Sequence, residues 1–151
     1  MLNASKLKSF LELALVNVPE IKQSFRVIQD EDVAKFTRAV TSSGGNIVIV
    51  GVLPSMGLDF QNLDNFRHNN KMQLFILQKY DTTSGEEALM QLFDDIAAVV
   101  LKFEAWMFLE SDKFPCPPIF KEIKFETFTI DPVSNYFGFC GYMIQFQLKT
   151  K

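Results

Sequence analysis

The residues with the greatest capacity for chemistry in this chain do not gather. His68 is the only histidine, and the two cysteines, Cys116 and Cys140, lie far from it and from each other. Transition-metal sites show themselves as short-spaced pairs of such ligands, so no metal is expected here. A Ser-His-Asp arrangement would depend wholly on His68, in a loop-like segment. Asp94 and Asp95 are adjacent, and neighbouring helix positions diverge by about 100°, so the pair reads as the solvated side of a helix. Asp59, Asp64 and Asp131 stand beside Pro, Gly, Asn or Phe, where Asp serves by bonding its own backbone. Gly44-Gly45 lacks the Lys-Ser/Thr of a phosphate loop. The reading is a chain with no catalytic residue, no metal and no cofactor.

The totals narrow the partners. At 151 residues the chain fits one domain spanning 1–151. The net charge of −3 comes from interspersed acids and bases without a basic stripe, so nucleic acid is not an expected ligand. No apolar run approaches the ~20 residues of a membrane-spanning helix. Leu11 to Val18 is interrupted by Glu12 and has no cleavage site after it, which argues against a signal peptide. A cytosolic chain with reduced thiols is expected. The unusual number is 16 Phe against one Trp and three Tyr. Phe60, Phe66, Phe114, Phe120, Phe137 and Phe139 fall in loops or at element ends; they either form an interface or fold inward onto the core.

The pattern along the chain predicts the elements that carry these residues. Asn3 caps a helix over about Ala4 to Val16, striped with Leu7, Phe10, Leu11, Ala14 and Leu15 and ended by Pro19. Phe25 to Ile28 reads as a short strand, and Asp30 as the cap of a second helix carrying Val33, Phe36 and Val40. Ile47 to Leu53 is unbroken and β-branched, as in a central strand covered on both faces. Pro54 to Asn70 reads as a long irregular arm, and Asn65-Phe66-Arg67-His68-Asn69-Asn70 within it as a contact loop or a polar turn. Lys71 to Tyr80 is a strand. A capping box from Thr83 or Ser84 opens a helix of about 25 residues that stops before Phe114-Pro115-Cys116-Pro117-Pro118. Phe120 to Ile130 is a strand whose apolar phase shifts, as at a bulge or in a strand that passes from one environment to another. Gly138 to Lys149 alternates cleanly, with Cys140, Tyr142, Ile144, Phe146 and Leu148 on the core side and a wet opposite face.

The whole is an α+β fold: a mixed or antiparallel sheet of four or more strands, in two layers with the long and amino-terminal helices.

Several segments together resemble a known group. They are Asp64-Asn65-Phe66-Arg67-x-Asn69-Asn70, the strand Met72 to Ile76 with Lys79 and Asp81, Asp131-Pro132-Val133-Ser134-Asn135 with Gly138, and Gly141-Tyr142-x-Ile144-x-Phe146-x-Leu148-Lys149-Thr150. From about Ile47 onward the chain resembles phage and prophage-like proteins whose layout is similar to tail terminator, or tail completion, proteins. The resemblance implies a non-enzymatic subunit that forms a homo-oligomeric ring, usually of six, on the end of a tail tube. Its partners would be itself and tube or neck proteins, in the host cytoplasm during assembly and then in the particle. Contacts would lie around Asp64, Asn65, Phe66, Arg67, Asn69 and Asn70, with turn formers at Asp131, Pro132, Asn135 and Gly138. Ser134 departs from the aromatic often found at its position. Two other readings stand beside this one: a small-ligand or hydrolytic domain resembling hot-dog-like acyl hydrolases, with a Phe-lined pocket, and a secretion or conjugation module that binds by strand addition.

Overall fold

The computed structural model describes residues 3–28, 46–62, 65–136 and 138–150, and only the backbone of 58–62, 65 and 66. The helix expected to start at Asp30 and the glycine loop at 41–45 lie outside the described residues. The order is α1 (Ala4–Asn17), β1 (Ile21–Val27), β2 (Ile47–Asn62), β3 (Asn65–Lys79), α2 (Glu86–Asp112), α3 (Pro118–Lys121), β4 (Ile123–Tyr136) and β5 (Phe139–Thr150). The strands form one five-stranded mixed sheet in the order β1-β2-β3-β5-β4. β1 runs parallel to β2, and the other neighbours are antiparallel. The fold is α+β, as expected.

Helix α1 begins where the Asn3 side chain accepts the Lys6 amide at 2.9 Å, satisfying one orphan donor of the first turn. Its stripe of Leu7, Phe10, Leu11 and Ala14 is buried against the sheet. The approach is close at Gly51 of β2, where a Cβ would stand 3.0 Å from the side chains of Leu7 and Leu11. Helix α2 is 27 residues long and lies on the same face of the sheet, burying Ile96, Val99, Val100, Phe103, Trp106 and Met107. No capping box opens it. Gly85 occupies the cap at φ 86 with no side-chain bond, and the Asp81 carboxylate instead accepts from the Thr83 amide and hydroxyl. That amide bond holds the Asp81 carboxyl below its usual range.

Between the helices and the sheet, Phe10, Phe103, Trp106 and Phe120 form an aromatic box. Phe10 lies 6.2, 5.8 and 5.9 Å from Phe103, Trp106 and Phe120. Trp106 meets Phe120 edge-on at 5.5 Å and 83°, and its buried indole N–H has no conventional acceptor among the described residues. An aromatic face is the acceptor within reach of such a donor.

The phase change in β4 is a bulge, as expected: pairing with β5 slips between Lys124 and Thr129. Thr127 patches the gap. Its hydroxyl donates to the Lys124 carbonyl at 2.6 Å and accepts the Gln147 amide at 2.9 Å. The slip lets Ile123, Phe125, Phe128 and Ile130 all pack on the helix-side core, although they stand on opposite parities in sequence.

The structure corrects other sequence readings as well. The described part of Pro54 to Asn70 is not irregular; it is the distal half of the β2–β3 hairpin, paired from Ser55↔Lys71 to Asn62↔Asn65. Pro54 is tolerated because the register slips between Val52 and Ser55, so no ladder bond is asked of its nitrogen. The first strand starts earlier than expected, at Ile21, and is held by its pairing to Ile47–Val52. The proline-rich stretch after α2 contains a one-turn helix, α3, entered through Pro118. The face of β5 opposite the helices is not uniformly wet. Phe139 joins Val27, Val48, Val50, Phe75 and Leu77 in a second buried cluster there.

Candidate assembly surface

The β2–β3 hairpin outruns the sheet that supports it. β1 pairs only as far as Val52, and β5 reaches only to His68. Among the described residues, the ribbon beyond those points pairs only with itself. Its backbone register sets Leu58 opposite His68, Asp59 opposite Arg67 and Phe60 opposite Phe66. An isolated two-stranded hairpin is only marginally stable in water.

The base of the ribbon is polar and fixed. Asn70 is fully buried, the one buried polar residue among those described. Its amide nitrogen reaches the Leu148 carbonyl at 3.3 Å and the Thr150 hydroxyl at 3.0 Å, tying β3 to the end of β5. The Asn69 amide donates to Gln147 Oε1 at 3.3 Å, while its own buried oxygen has no partner among the described residues.

The sequence-predicted contact residues separate into three groups. Phe60, Asn65, Phe66, Arg67, Asn69 and Asn70 do fall on this one ribbon, although the side chains of the first three, like the whole of Asp64, lie outside the description. Phe137 lies outside it too. Phe139 is fully buried, which corrects its reading as a contact: the alternation of β5 sends it into the second cluster. The other end-of-element phenylalanines divide. Phe120 is core and Phe114 is wholly exposed.

Of the turn formers, Asn135 at φ 55 and Gly138 at φ 81 bend the β4–β5 hairpin. Asp131 and Pro132 are in the strand instead, opposite Met143 and Tyr142. β4 is an edge, where Pro is admissible, and the ladder absorbs it. Pro132, the bulge and a second slip after Val133 break up that edge in the way proteins guard against strand addition.

The two sequence candidates for ionisable chemistry, His68 and Asp131, do not come together. His68 and Asp131 pair with Thr150 and Met143 of β5, seven residues apart, which is roughly 23 Å along a strand. Among the described residues no three of His, Cys, Asp and Glu come together to hold a metal ion. Cys140 is buried and its thiol is pushed up to about 11 by desolvation, so it stays protonated at neutral pH. Glu20 is held below its usual range chiefly by its hydrogen bond from Lys102, a link between the α1–β1 turn and α2. No described helix is long and apolar enough to cross a membrane.

Comparison with protein families, with curated proteins and with solved structures finds no match.

Sequence reasoning missed the apolar character of the outer face of α2. The signal was present: Met90 and Leu101, both exposed, interrupt the side that the Asp94-Asp95 pair assigns to solvent.

Proposed function

We propose that this chain is a non-enzymatic structural subunit that assembles into a ring at the end of a phage-like tail, in the manner of a tail terminator or completion protein. The observation that carries the reading is the self-paired ribbon projecting beyond a well-packed sheet. It bears the Asp64 to Asn70 motif on which the resemblance rests. Its base is rigid, because Asn70 fixes it to β5, and a rigid base is what an assembly arm needs to present contacts without a large ordering cost. The sheet and helix core beneath it supplies a scaffold. His68 and Asp131 are too far apart to act on one substrate.

The test is sedimentation velocity of the full chain over micromolar concentrations, alone and with tail tubes, together with negative-stain electron microscopy. A closed ring, or a cap on tube ends, is the expected result. A monomer under all of these conditions rejects the reading.

A further inference from the structure

The two layers of this molecule turn opposite charges outward. Residues 80–101 hold five acids and no base. Four of those acids, Glu86, Glu87, Asp94 and Asp95, are exposed on the first three turns of α2, and none forms an ion pair among the described residues. Ile96 and Phe103 mark the buried side of the helix. At 100° per residue, Glu87 and Asp94 stand within about 20° of the direction opposite to that side, about 10.5 Å apart along the axis. Met90 and Leu101 are exposed beside them, so this ridge offers apolar area as well as charge.

The sheet face away from the helices is the counterpart. Met72, Ile123 and Leu148 belong to the helix-side core, so by strand alternation Lys71, Lys124 and Lys149 point the other way. Lys71 and Lys124 both pair with Gln147, one from β3 and one from β4, in a single row across three strands. Two strand spacings set them roughly 10 Å apart. Lys149 pairs with Asn69 in the next row, and Gln73 pairs with Gln145 on the other side, so the surface around the row is polar. Neither Lys71 nor Lys124 forms an ion pair among the described residues. Glu126 is the one acid of the β4 bulge, and farther along β3 Arg67 stands opposite Asp59. These lysines are distant in sequence and meet only through the sheet, which is why the chain shows no basic stripe.

We propose that the open sheet face of one copy receives the acidic ridge of α2 from a second copy, with Lys71 and Lys124 against Glu87 and Asp94. Sign and spacing agree, since each pair spans about 10 Å. Helix against helix sets acid on acid, and sheet against sheet sets lysine on lysine; helix against sheet alone joins opposite charges. Because the two surfaces differ and belong to opposite layers, the contact is head-to-tail, the kind that closes into a ring when the rotation permits. The inference rests on the ring-subunit reading and supplies the subunit contact that reading lacks. The ribbon is then left to meet the tube or the neck.

The test uses two full-length double variants, Lys71→Glu with Lys124→Glu on the sheet and Glu87→Lys with Asp94→Lys on the helix. None of the four side chains is in the core, so circular dichroism should match the wild type. Should either variant not fold, Lys71→Gln with Lys124→Gln, or Glu87→Gln with Asp94→Asn, takes its place with a smaller loss in the same direction. Each charge-reversed variant alone should lose self-association by about tenfold or more in Kd, as read by sedimentation, because it sets like charges face to face. Mixed in equal amounts the two should regain it, since every junction then joins acid to base. If wild type assembles and either variant assembles equally well, or if the mixture regains nothing, this contact is wrong while the ring reading stands. A sheet variant that keeps self-association but loses binding to duplex DNA assigns the lysine face to a polyanion and also overturns the contact. If wild type never assembles, both fail.

Discussion

Gly141 sets the hardest local constraint in the chain. It sits at φ 155, and a Cβ there would stand 2.0 Å from the Ile76 carbonyl oxygen of the neighbouring strand. Backbone cannot retreat as a side-chain tip can, so Gly141→Ala is expected to cost about 3 kcal/mol or more in urea unfolding. Gly138→Ala keeps only the strain of φ 81, since nothing lies within 4 Å of its Cβ position, and should cost about 1 kcal/mol. Equal costs would show that backbone conformation, and not the Ile76 contact, fixes Gly141. Alternation in β5 was readable from residue types, but this collision was not, because it depends on how closely β3 lies in the register. The cysteines give a second residue-scale test. Half-buried Cys116 should be alkylated in the native protein, and Cys140 only on unfolding. The Cys140 thiol at about 11 is raised above its unfolded value, so the native state holds its proton longer. Its contribution is present below about pH 9 and lost as pH climbs toward 11, by up to roughly 2 kcal/mol. Thermal melts at pH 8, 9.5 and 11 would show the decline, and Cys140→Ala should flatten it.

At the scale of elements, what was legible followed from period. The stripe of α1, its Asn3 cap, the long helix and the alternating β5 are local patterns enforced by one core, and each formed where the pattern placed it. The ribbon was hidden for the opposite reason. Asn, Asp, Gly and Pro between 54 and 70 are turn formers in isolation, yet pairing across thirteen matched positions between β2 and β3 overrides them. The helix cap at Gly85 was likewise decided by Asp81, which claimed Thr83 before any capping box could form. Asn70 should show how far the ribbon depends on its base. Truncation by Asn70→Ala leaves the Thr150 hydroxyl without this partner and removes the amide from a fully buried site, an expected loss of about 1–3 kcal/mol. Hydrogen exchange should then rise at His68 to Lys71 and Leu148 to Thr150 before it rises in α2. Uniform exchange across the sheet would instead make Asn70 an ordinary core residue.

For the whole molecule, the decisive matter is whether folding and assembly can be pulled apart. Among the described residues, the helix-side core runs from Leu7 through Phe103 to Leu148. Phe10→Ala, which empties the centre of the aromatic box, should therefore cost about 3–5 kcal/mol and lower the melting temperature whatever the assembly state. Shortening the hairpin should do the reverse. Gly57 and Asn69 face each other across the ribbon, so replacing residues 58–68 with a two-residue Asn-Gly turn joins them in a geometry that hairpins favour. The shortened chain keeps the helix-side core and most of the pairing of β3 with β5, and its melt should stay within a few degrees of wild type. What it loses is the ribbon tip. If the tip meets the tube while the body of the subunit makes the ring contacts, the shortened protein should still form rings but no longer cap tails in electron micrographs. Rings that still cap tails would remove the ribbon from the tube-binding face, and a failure of rings alone would place the subunit contact on the arm.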